Sequence, residues 1–157
     1  MRRSIVRWAA ILAALATLAG AATASAGILV GTYAGRITGV EGHRSFKGGN
    51  MKFKLSGRGR IKSFQFSKIR VACSNGNLYR TSGHISPNVR VFKHNGVRKF
   101  KFHGSNQYGG ELKVLGIFRG HDHARGLLRY KGRIPTNDGH VRHCTTFRQF
   151  WSASHVR

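Results

Sequence analysis

Acidic side chains are the scarcest chemistry in this sequence: Glu41, Glu111, Asp122 and Asp138 stand against 28 Lys plus Arg in 157 residues. No two of the four form a recognisable pair, so nothing here supplies the twin carboxylates of a glycoside hydrolase. Serines are present, yet none sits in the Gly-x-Ser-x-Gly context of a nucleophile elbow. Cysteine and proline occur twice each. Apolar residues rarely recur at three and four, which leaves no amphipathic helix of three turns. The strongly apolar part of the N-terminus, Trp8 to Ala19, is short of the roughly 20 residues that span a bilayer as a helix.

What is present begins with an export leader. Arg2, Arg3 and Arg7 form a positive start, Trp8 to Ala19 an apolar middle, and Ala24-Ser25-Ala26 a small-residue end. This order predicts a signal peptide over 1–26, cleaved after Ala26 and leaving a mature domain over 27–157. Arg2-Arg3 before Ser4, Ile5 and Val6 is compatible with either the general or the twin-arginine route. The expected address is extracellular, with no further membrane-spanning segment.

The mature part has 131 residues, enough for one core that stands without a structural cofactor. In an exported chain the two cysteines, each beside strand-like sequence, predict a disulfide between Cys73 and Cys144. Beyond residue 26 the charge is a formal +21. A field of that sign concentrates polyanions, whether nucleic acids, anionic wall polymers or acidic surfaces.

Short alternating stretches separated by Gly, Asn, Ser and Asp clusters are the grammar of strands and turns. Met51, Phe53 and Leu55 share a face opposite Lys52 and Lys54. Phe100 and Phe102 alternate likewise with Lys99, Lys101 and His103. In Arg60 to Cys73 two alternating runs change phase near Ser67-Lys68, which predicts a bulge. Ser74-Asn75-Gly76-Asn77 turns the chain into Leu78-Tyr79-Arg80-Thr81, and Asn95-Gly96 is a hairpin signal. Leu112 to Phe118 reads as apolar on both faces, a central strand. After a turn at Gly120 to His123, Ala124, Gly126, Leu128 and Tyr130 share a face while Arg125 and Arg129 point away. The final stretch, Cys144 to Ala153, supplies Phe147, Phe150 and Trp151. The expectation is an all-β domain, a single antiparallel β-sandwich or small β-barrel of about 7–9 strands with one disulfide.

Gly31-Thr32-Tyr33-x-Gly35, Asn95-Gly96-x-x-x-Phe100, Gly116-x-Phe118, Ala124-x-Gly126-x-Leu128 and Cys144 before Trp151-x-Ala153 give the mature chain a pattern. In it the chain resembles uncharacterised secreted β-rich proteins of bacteria, especially of actinobacteria. The resemblance implies an extracellular β domain with one disulfide and no established activity, and it carries no catalytic residues.

Three readings of function follow. His121-Asp122-His123 has the residue types of a zinc or copper site, but no spacing fixes further ligands, so it reads as an exposed polar turn rather than a metal site. His140 and His143 beside Cys144 read as a basic loop, since a disulfide would remove the thiolate. The nine histidines and the basic surface would supply a small secreted ribonuclease, which needs two imidazoles as acid and base. The preferred reading is a non-enzymatic domain that binds an anionic polymer through Lys52, Lys54, Lys99, Lys101, Arg125 and Arg129. A purely structural secreted domain is the third. No cofactor and no metal are expected.

Overall fold

The computed structural model describes residues 27–40 and 48–157, so the leader expected over 1–26, with Glu41 and His43, lies outside the described residues. Eleven strands follow one another: β1 (Gly31–Val40), β2 (Asn50–Leu55), β3 (Arg60–Cys73), β4 (Leu78–Ile85), β5 (Val89–Arg90) and β6 (Phe92–His94), then β7 (Val97–Ser105), β8 (Glu111–Arg119), β9 (His123–Pro135), β10 (Val141–Thr145) and β11 (Gln149–His155). Among the described residues there is no helix. The all-β class and the Cys73–Cys144 disulfide are as expected; the strands outnumber the expected seven to nine.

Pairing runs β10-β3-β2-β1-β11-β9 and returns from β9 to β10, which closes a six-stranded ring. Every pair is antiparallel. From β9 the sheet continues through β8 and β7 to β6, while β4 and β5 pair with β3. Closure removes free edges from the ring, the usual way an all-β domain avoids edge-to-edge association. The β3–β10 seam is short, only Cys144↔Cys73 and Thr145↔Ala72 in register, and the disulfide lies within it.

Alternation sets the two faces. The buried Met51, Phe53 and Leu55 of β2 point inward and the exposed Lys52 and Lys54 outward. Phe53 is the hub of the core: its ring stacks on Tyr33 at 4.8 Å and lies 5.4 Å from Phe100 and 6.0 Å from Trp151. Phe64 and Phe102, 5.2 Å apart, show β7 packing across β3 rather than beside it. Glycines make room for these rings. Gly116 lies opposite Phe100, and Gly126 opposite Trp151, where a Cβ would meet the indole at 2.5 Å. Only glycine allows such close cross-strand approach.

The bulge expected at Ser67-Lys68 is present: the β3–β4 register shifts between Phe66 and Ile69, and Lys68 adopts φ 55°. Asn95 and Gly96, both at positive φ, turn β6 into β7. One expectation needs correction. The strand from Leu112 to Phe118 is not covered on both faces: Leu115 is exposed and Ile117 half-buried, because among the described residues no second layer lies over the outer side of β8. Cys144 to Ala153 is two strands, interrupted at Thr146 to Arg148, and only Trp151 of its three aromatic residues is buried.

Candidate anion-binding surface

Strand alternation sends the basic residues outward, and the described acids stay at the margins. Asp122 and Asp138 lie in turns and Glu111 opens β8. Each has a basic neighbour: Lys113 at 3.9 Å from Glu111, His123 at 2.7 Å from Asp122 and Arg142 at 2.7 Å from Asp138. Apart from Glu111, no strand among the described residues contains an acid. Cations consequently oppose cations across the ladders, with Lys113↔Arg129, Arg70↔Arg80 and Arg60↔Arg90 in register. Directly opposite like charges destabilise a sheet.

The six residues singled out from sequence fall into two groups. Lys99 and Lys101 on β7 and Arg125 and Arg129 on β9 share one outer face across β8, where Lys99 opposes Ile117 and Ile117 opposes Arg125. Lys101, Arg125 and Arg129 are exposed and Lys99 half-buried. Lys52 and Lys54 are exposed on β2, beyond β11 and β1 from β9. Three strand spacings separate β2 from β9, about 14 Å along the sheet.

Sequence reading missed the cations that join the first group. Lys113 stands between His103 and Arg129, and Lys131 follows on β9 opposite Glu111. A shallow depression of about 290 Å³ is lined by Glu111, Lys113, Arg129 and Lys131, and a neighbouring one of about 460 Å³ by Arg129, Lys131, Thr145, Phe147 and Arg148. Period-two alternation in Leu112-Lys113-Val114 was the available signal, hidden by reading β8 as buried on both faces.

On the other outer face a groove of about 850 Å³ crosses β1, β2, β3 and β4. Arg36, Lys52 and His84 border it together with Asn50, Gln65, Ser67 and Ser82. The ladder runs Arg36↔Asn50↔Ser67 in one row and Ala34↔Lys52↔Gln65↔His84 in the next. His84 is the one imidazole among the described residues that line it.

The His121-Asp122-His123 tip is held by its backbone. Leu29 N–H and Tyr33 O–H donate to the His121 carbonyl at 2.8 and 3.1 Å, and His155 N–H donates to that of Asp122 at 2.7 Å. His123 Nδ1 meets Asp122 Oδ1, which holds that carboxyl below its ordinary pKa, while no cluster of three metal-ligating side chains occurs among the described residues. Burial, with the Asp122 charge as the smaller cause, pushes the Tyr33 hydroxyl up to about 12. Asp138 binds the hydroxyl of Thr136, the Arg142 guanidinium and, at 3.2 Å, the Tyr79 hydroxyl; these bonds hold it well below the usual carboxylate range. It therefore ties the β9–β10 turn to β4. His140 and His143 are exposed beside it, and Cys144 is spent in the disulfide.

No helix among the described residues is long and apolar enough to cross a membrane. Comparison with protein-family models, curated protein sequences and solved structures gave no match to the chain.

Proposed function

We propose that this chain is exported, loses residues 1–26, and acts outside the cell as a non-enzymatic basic domain that holds an anionic polymer by charge. The carrying observation is the set of cations directly opposed across the ladders, Lys113↔Arg129, Arg70↔Arg80 and Arg60↔Arg90, on strands whose one acid among the described residues is Glu111. Such pairs cost stability in the free protein, and a chain of phosphate, sulfate or carboxylate groups laid along them removes that cost. Phe53, Phe100 and Phe102, which alternate with Lys52, Lys54, Lys99 and Lys101, are buried and unable to stack on bases. The expected binding is therefore indifferent to sequence and steeply dependent on salt.

The test is retention of the mature protein on an immobilised polyanion under a salt gradient. Replacing Lys52, Lys54, Lys99, Lys101, Arg125 and Arg129 with Gln removes six potential counter-ion contacts, and elution should move to much lower salt. Elution at unchanged salt would overturn the proposal.

A further inference from the structure

Three outward side chains form an apolar row across the middle of the basic face. Leu115 on β8 opposes Leu127 on β9, which opposes Phe150 on β11. Leu115 is 38% exposed and Phe150 45%, and Leu127 is half-buried. Ile117, half-buried, widens the row by one position along β8. At about 4.8 Å between strands the row is roughly 10 Å long, a compact stripe rather than scattered apolar positions.

Cations border it on three sides, and at the β11 end Phe150 lies opposite Gly39. Lys101 continues the row on β7, opposite Leu115. Lys113 and Arg129 form the adjacent row on one side, and Lys99 and Arg125 flank Ile117 on the other. No acid lies in these three rows. A polymer of charged groups has nothing to offer Leu115 and Leu127, because aliphatic side chains do not stack on bases and gain nothing from phosphate or sulfate. An apolar centre inside a cationic border matches a layer in which anionic headgroups surround accessible acyl chains.

We propose that the outer face of β7, β8, β9 and β11 docks on an acidic lipid bilayer, with Leu115, Leu127 and Phe150 entering the acyl boundary and Lys99, Lys101, Lys113, Arg125 and Arg129 contacting headgroups. This rests on the reading of these cations as anion contacts and adds a ligand class that charge alone does not specify.

The experiment uses the protein from Gly27 onward, which contains every strand and core residue described. It is sedimented with vesicles of phosphatidylcholine mixed with phosphatidylglycerol, and with vesicles of phosphatidylcholine alone. Co-sedimentation is expected only with the acidic vesicles. The triple variant Leu115→Ser, Leu127→Ser, Phe150→Ser should partition at least about tenfold more weakly while eluting from a polyanion column at the parent's salt. A cooperative thermal transition and an intact disulfide certify its fold. Independently, Phe150→Trp should shift its emission to shorter wavelength on acidic vesicles.

Equal sedimentation of the triple variant, or no binding by the parent, would overturn the bilayer reading. So would a triple variant that loses polyanion retention as well, because the stripe would then serve the polymer. Failure of the six-Gln variant to change polyanion retention would instead strike the broader charge reading, which keeps the two failures distinguishable.

Discussion

Cys144 lies directly opposite Cys73 across the β3–β10 seam, their Cα atoms 4.0 Å apart. The bond joins residues 71 apart in sequence, at the place where two register pairs alone close the ring on that side. Both sulfurs sit in the buried core rather than at the surface. In the chain-entropy description, closing a loop of this length stabilises the fold by about 4 kcal/mol. Urea unfolding of the Cys73→Ser, Cys144→Ser double variant should show a loss of roughly that size. A midpoint equal to the parent's would mean that the seam holds without it.

Gly126 faces the indole of Trp151 and the carbonyl of Leu115, so a methyl group there overlaps both. We expect Gly126→Ala to cost about 3 kcal/mol, at the upper end of ordinary overpacking, because one of the obstacles is backbone. Thermal denaturation gives the value. A change below about 0.5 kcal/mol, the level of a neutral surface substitution, would show that β8 and β9 can separate to admit it.

Tyr33 supplies a pH dependence with a definite sign. Its hydroxyl donates to the carbonyls of Leu29 and His121, and in the folded state it ionises only near 12, above its ordinary value of 10.0. The folded protein therefore keeps a proton that the unfolded chain gives up. The resulting stability is complete below pH 10 and declines as pH rises toward 12. Spectrophotometric titration of the four tyrosines should show a phase near 12 that Tyr33→Phe removes. Persistence of that phase in Tyr33→Phe would contradict the assignment.

Much of the fold was legible because period-two alternation is written into single strands. Met51 to Leu55 and Arg60 to Cys73 could be bounded from their own residues, and the phase change at Ser67-Lys68 marked a bulge. What alternation cannot say is whether a face is covered. Leu115 and Ile117 look like core residues in sequence, and it is the absence of a layer over β8 among the described residues that leaves them outside. Ring closure was equally hidden, since the β9–β10–β3 connection depends on pairings between distant segments. The candidate site divided along the same line. Arg125 and Arg129 were visible from their own strand, but their association with Lys113 and Lys101 required the register of three strands.

The most direct test of the central claim is a gel of end-labelled single-stranded RNA incubated with the metal-free protein from Gly27 onward over a salt series, with mobility and length read together. Charge-driven, non-enzymatic binding requires intact RNA whose mobility shifts at low salt and recovers as salt rises. Shortened RNA, with cleavage abolished by substitution of particular histidines, would contradict the account and place the protein among nucleases.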